Sequence, residues 1–417
     1  EEMGWRTTAQ NYNLNRDYVK ADTPEMQAML RLVNAWDPLV YVDLHVTDGA
    51  QFEHDVSIQV EPVHGGDEPL RQAGTALRDG VIDALATQGS LPLPFYPSFV
   101  VNDDPSSGFE DTVAPPRFSH GYFQLRNRIG MLVETHSWRD YPHRVKVTRN
   151  TIVALLDGVA AHGTQWRMQA LAADTRARQL GDQPVTLDYK TTDKARTIDF
   201  RGYAYTRTPS EVSGALMTRY DERTPQVWSI PMRDEIVPDH VVTAPRSGYL
   251  VPAAYASQVA AKLGQHGIEY RRVEAAMPGA RVETFRADTA SFAAQSVEGH
   301  QRLTATGTWK PEQQDLVAGA LFVPIAQAKA RLVMALLEPQ APDALLAWGE
   351  FNSNFERKEY MEDYVAEAVA RDMLKDPKVK AAFEQRLKDD KAFADNPQAR
   401  LEFFARRHSS GDTRFPL

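Results

Sequence analysis

The chain has no cysteine among its 417 residues, which excludes a disulfide framework and any thiolate-bound metal. A bound ion would have to be held by histidine and carboxylate groups. No apolar run approaches the roughly 18 residues that cross a bilayer. An excess of positive charge is missing as well: 47 Lys and Arg stand against 56 Asp and Glu, a net charge of −9. That balance opposes binding to a phosphate backbone, and no basic stripe offsets it, so no nucleic-acid partner is expected. Internal repeats and low-complexity tracts are not found, and the opening "EEMGWRTTAQ" has neither the charged n-region nor the apolar h-region of a signal peptide. What remains is a folded chain too long for one ordinary core, with two or three domains expected.

The stretch "TPEMQAMLRLVNAW" offers Thr23 as an N-cap, Pro24 at the first helical position, and Met26, Met29, Leu30 and Val33 at helical spacing. This predicts a helix with one buried stripe. Pro38 ends it, and "LVYVDLH" follows as a short buried strand. Residues 68–87 predict a second helix, and the Pro-, Gly- and Ser-rich stretch 89–122 a long irregular excursion of the kind that walls a site. "IGMLVETHS" predicts another apolar strand, with a long helix after it over about 142–173. The order points to an α/β domain over residues 1–175. Short runs of Val, Ile, Thr and Tyr then predict a mostly β domain over 176–345, with one helical insertion at "YLVPAAYASQVAAKLGQHG", and residues 346–417 are predicted as a helical tail.

His45 closes the first strand just before the turn "VTDG", at the carboxyl end where open α/β sheets place their ligands. Taken alone, such a histidine is more often structural than a metal ligand. Glu134 closes the second strand, where desolvation raises a carboxyl towards the range of a general base; its competing role is a rim ion pair with Arg126 or Arg128. Asn15 and Arg16 set an amide beside a guanidinium, which grips carboxylates in a bidentate way; the competing role of Arg16 is a surface pair with Asp17 or Asp22. Tyr122 lies on the approach to the second strand, placed to cap a substrate or to pack in its loop.

Together "GWRTT", "NLNRD", "YVDLH" and "LVETH", in that order, resemble the zinc carboxypeptidase family of metallopeptidases, in its bacterial branch with a C-terminal extension, over roughly residues 1–170. The resemblance implies a mixed-sheet α/β catalytic domain, one zinc ion, and a peptide or amino-acid-amide substrate in a periplasmic or secreted setting. It implies that Arg6 polarises the scissile carbonyl, Asn15 and Arg16 clamp the terminal carboxylate, Tyr122 caps the substrate, His45 is the third zinc ligand and Glu134 is the general base. One departure stands out: the family's His-x-x-Glu zinc pair precedes the arginine, and no such pair precedes Arg6. His266-Gly-Ile-Glu269 falls in the later domain and is expected to end a helix at Gly267, while His64-Gly-Gly-Asp67 falls in a glycine-rich turn. The catalytic domain is therefore expected to be incomplete at its amino end and to bind zinc poorly by itself, with a companion N-terminal segment or a homo-oligomer as partner. Two other functions fit the same motifs: a zinc deacylase acting on N-acyl amino acids, and a peptide-binding scaffold without hydrolytic activity.

Overall fold

The computed structural model describes residues 5–356 and 361–408. Gly4 of "GWRTT" and Glu359 and Tyr360 at the head of the helical tail lie outside the described residues. Two compact units are formed: one takes in residues up to 280 with 292–304 and 313–349, the other 281–291, 305–312 and the residues from 350 onward.

The first unit opens with a 3-10 turn, Leu14–Arg16, followed by α1 (Pro24–Trp36), β1 (Val40–Thr47), β2 (Val56–Glu61), α2 (Glu68–Thr87), β3 (Pro92–Leu93), β4 (Phe109–Glu110), α3 (Ser119–Leu125), β5 (Ile129–His136) and α4 (Tyr141–Ala177). Local chemistry sets the helix starts. The Thr23 hydroxyl accepts from the Met26 amide and Pro24 follows it, and the Asp140 carboxylate accepts from the His143 amide at the head of α4. Helix α1 buries Met26, Leu30 and Val33 along one stripe.

Strands β1, β5, β2 and β3 form a mixed sheet in that order. β5 runs parallel to β1 and antiparallel to β2, and all eight of its residues are buried. Successive side chains alternate between the faces of a strand. Ile129, Met131 and Val133 join Val56, Ile58 and Val60 in a core closed by Leu77 and Leu85 of α2 and Leu155 and Trp166 of α4. The opposite face carries the polar residues of the same strands, among them Asp43, His45, Ser57 and Glu134. Gly130 lies on that face, and a Cβ there would come within 2.6 Å of the His120 Cα. Bare backbone at this position lets α3 lie directly against the strand.

The chain continues through β6 (Pro184–Thr191), β7 (Arg196–Pro209), β8 (Leu216–Arg233), β9 (Ile236–Thr243), β10 (Gly248–Val251), α5 (Ala256–His266), β11 (Arg271–Arg272), β12 (Met277–Phe292), β13 (Leu303–Leu316), β14 (Leu321–Pro324) and α6 (Ala330–Leu337). Four further small sheets result, β4-β8-β7, β6-β9, β10-β14-β11 and β12-β13. The fold class is mixed α/β.

Two features differ from the sequence expectation. The boundary expected at 175/176 is crossed by a shared core: β4 pairs with β8, and Phe52, Phe95 and Phe109 pack with Phe200, Trp228 and Ile230. The change in composition near residue 176 thus marks a change of secondary structure and not the start of a separate core. "ARLVMALL", expected within β texture, forms α6 with seven of its eight residues buried. A continuous apolar run has no period from which helix and strand can be told apart.

In the second unit α7 (Asp363–Met373), α8 (Pro377–Asp389), α9 (Lys391–Ala394) and α10 (Pro397–Ala405) gather Ala370, Phe393, Phe403 and Phe404 into a small core of their own. No helix among the described residues is long and apolar enough to cross a membrane.

Candidate functional site

The parallel pairing of β1 with β5 puts His45 directly opposite Glu134 near the carboxyl ends of both strands. The Glu134 side chain is only 10% exposed, and its carboxylate lies 4.0 Å from His45 Nδ1. Burial pushes its carboxyl up to about 7, against the nearby positive charges of His45 and Arg6 and with the help of Asp43 and Asp48. Neither arginine weighed as a rim partner is engaged with it. Arg128 clasps Asp37 and Asp174, and Arg126 bonds Asn34 at 2.9 Å and the Tyr122 hydroxyl at 3.2 Å.

His45 is held from behind. Its Nε2 lies 2.8 Å from Asp43 Oδ1, and this hydrogen bond is the chief reason its pKa is raised. A carboxylate that fixes one ring nitrogen sets the tautomer and turns the other nitrogen, here Nδ1, towards Glu134. Asp43→Asn is therefore expected to lower the His45 pKa, read from the pH titration of its imidazole resonances in metal-free protein. An unchanged or higher value would show that Asp43 does not hold the ring.

Asn15 and Arg16 sit in the 3-10 turn that leads into α1. The turn is fixed by Asp17, a fully buried carboxylate that accepts from the Thr23 hydroxyl at 2.7 Å, the Thr23 and Asp22 amides at 3.0 Å, and Lys20 Nζ at 2.7 Å. With Asp17 so occupied, and Asp22 taken by Lys20, Lys262 and His300, Arg16 pairs with neither. Its Nη1 donates to the Asn15 carbonyl at 2.7 Å and its guanidinium lies 4.2 Å from the centre of the Phe118 ring. Burial, followed by the charges of Arg6 and Arg117, lowers its pKa. Arg117 is neutralised by Asp343 at 2.6 Å. Among the described residues Arg16 meets no carboxylate within ion-pair distance, and the buried Asn15 Oδ1 has no hydrogen-bond partner.

Arg6 is exposed, and its positive charge bears on Arg16, His45, Glu134 and Tyr96. Tyr122 requires a correction. It is fully buried, bonds His266 Nδ1 at 2.8 Å, and packs against Tyr18 and Phe123. A tyrosine in this position is part of the packing of α3 and has no surface to offer a substrate. His266 has both nitrogens engaged, Nδ1 by Tyr122 and Nε2 near the Val19 carbonyl at 2.9 Å, and burial pulls its pKa down to about 3. Gly267 ends its helix in the left-handed conformation, as expected. His64 Nδ1 is bound to Glu61 at 2.8 Å.

Two contributors were missed in the sequence. Asp43 was accessible to reasoning, since it lies two residues before His45 and a strand returns to the same face every second residue. Tyr96 was not. Its hydroxyl donates to Asp48 at 3.3 Å, and burial, then the charges of Glu134 and Asp48, raises its pKa. Nothing in "PLPFYPSF" distinguishes it from any other loop aromatic.

The donors beside His45 are carboxylates, and among the described residues no set of three metal-capable side chains that includes His45 closes to within 4.8 Å. Among the described residues His45 thus has no two companions that would complete a three-ligand zinc site around it. Comparisons with family models, curated proteins and solved structures gave no match for this chain.

Proposed function

We propose that the chain carries the substrate clamp and general base of a zinc carboxypeptidase-type hydrolase, which cleaves the last peptide bond of a substrate held by its terminal carboxylate. The observation that supports this most is the polarity of the site. Arg16 meets no carboxylate within ion-pair distance among the described residues, a carboxyl raised to about 7, Glu134, stands in register with an oriented histidine, and the charge of Arg6 bears on all three. Arg16 takes the substrate carboxylate in a bidentate grip, and Asn15 adds its amide. Arg6 sits where it can draw negative charge onto the scissile carbonyl oxygen.

Glu134 removes a proton from the attacking water and returns it to the leaving amine. A carboxyl near neutrality is matched to both halves of that exchange, since it is neither too weak a base nor too weak an acid at pH 7. His45 Nδ1 is the ligand this chain offers to zinc. The remaining ligands would come from outside the described residues, and no step of the proton transfer depends on assigning them.

The clamp is tested by calorimetric titration of the chain with a short peptide ending in a free carboxylate and with the same peptide amidated. Arg16→Ala should weaken binding of the acid by about tenfold to a hundredfold and leave the weaker amide unchanged. Equal weakening of both, or of neither, would remove Arg16 from this role.

A further inference from the structure

Away from His45 and Glu134, Arg331 at the start of α6 lines a cavity of 140 Å³ enclosed with β6, the segment before α3 and the carboxyl end of α3. Its guanidinium has no ion-pair partner among the described residues, and its one hydrogen bond there runs to Asn127 Oδ1 at 3.4 Å. Asp67, the carboxylate with most influence on it, is already gripped by Arg176 through two bonds of 2.7 Å. Burial lowers the Arg331 pKa, as expected for a cation taken out of water without a counter-ion.

Acceptors line the same space. Gln124 is 7% exposed, and its Oε1 has no hydrogen-bond partner among the described residues. A Cβ on Gly65 would lie 2.8 Å from that oxygen and 2.6 Å from the Tyr189 hydroxyl, so the two oxygens converge over bare backbone. Asp188 also lines the cavity and carries a carboxyl raised by burial. An uncompensated cation and an unsatisfied buried acceptor in one cavity call for a ligand with a negative group for the first and donors for the second. A plain anion would meet repulsion from Asp188, whereas an ammonium brings three donors to a wall of acceptors.

We propose that this cavity binds a small free α-amino acid, with its carboxylate on Arg331 and its ammonium among Gln124 Oε1, the Tyr189 hydroxyl and Asp188. The size suits this class: a cavity of about 150 Å³ admits benzene, so the space takes a ligand of about six to eight non-hydrogen atoms, on the scale of alanine or valine and smaller than a peptide. The assignment does not rest on the hydrolytic reading, although a carboxypeptidase releases products of this kind.

Calorimetry of the full chain with L-alanine, alaninamide and propionate provides the test. L-alanine should bind saturably at millimolar concentration. Loss of either charged end of the ligand, or Arg331→Met, should weaken binding by at least about tenfold. Val113→Trp, which fills the cavity from its half-buried loop and leaves the charges in place, should abolish binding and serves if the Arg331 variant does not fold. Glu134→Gln and Arg16→Ala should bind L-alanine as well as the unsubstituted chain does, which separates this cavity from the Arg16 and Glu134 residues. No saturable binding, binding that survives Val113→Trp, or binding lost in Arg16→Ala would overturn the proposal.

Discussion

Glu134→Gln is expected to lower hydrolysis of peptides with a free carboxyl terminus by between about a hundredfold and ten-thousandfold, while making the fold more stable at alkaline pH. Turnover is to be measured in a form of the protein whose zinc ligands are complete, and stability in the chain freed of metal by a chelator. The stability effect follows from the raised pKa. Below the ordinary carboxyl value of 4.5, Glu134 is protonated folded and unfolded, and ionisation does not discriminate between the states. As pH rises towards about 7 the unfolded chain releases the proton while the folded chain retains it, and above that the folded state bears the full penalty of a desolvated carboxylate. At about 1.4 kcal/mol per pH unit, the penalty approaches ~3 kcal/mol. Glutamine has no charge to desolvate, so the variant should gain up to that amount in urea unfolding at pH 8 and little at pH 4. A variant that is no more stable at pH 8 would show that the carboxyl is not held in a dry setting.

Arg128→Met is expected to destabilise the first unit by about 1.5–3 kcal/mol at pH 7, measured by urea denaturation. The side chain is 6% exposed and binds two acidic residues from different helices, Asp37 at the end of α1 and Asp174 in α4, through bonds of 2.7 to 3.1 Å. Methionine fills the space but leaves both carboxylates short of a partner, with only Arg167 remaining on Asp37. Burial raises the Asp37 pKa, but its bonds to Arg128 and Arg167 outweigh this and hold it below 3.8. A depressed carboxyl contributes stability above its unfolded pKa and loses it as pH falls. The deficit of the variant should therefore narrow below about pH 3.8. A deficit that stays constant with pH would mean that lost packing, and not lost pairing, is responsible.

The elements that build the site were largely legible because each had a local cause. Thr23 and Pro24 mark the start of α1, apolar spacing marks its stripe, and two β-rich runs mark β1 and β5, so the placement of His45 and Glu134 at strand ends could be foreseen. Their common register could not, since it depends on which strands pair and in which sense. The choice of tyrosine failed for a related reason. Tyr122 lies closer in sequence to β5 than Tyr96 does, yet α3 turns it beneath the sheet face while an irregular segment carries Tyr96 to Asp48. Helix α6 and the core around Phe109 and Trp228 escaped because burial between distant segments leaves no periodic trace in either one.

The position of β5 between β1 and β2 also sets a timetable. In sequence β1 and β2 come first, but in the sheet they are not neighbours, and β1 has its ladder with β5. During synthesis the strand bearing His45 must wait, without its eventual partner, through more than eighty residues until Ile129–His136 emerges and inserts. The insertion that completes the sheet is the same event that brings Glu134 opposite His45. A ribosome-bound chain short of β5 thus has neither a finished sheet nor Glu134 opposite His45, so the chemistry proposed for that pair would arrive only with the completed fold.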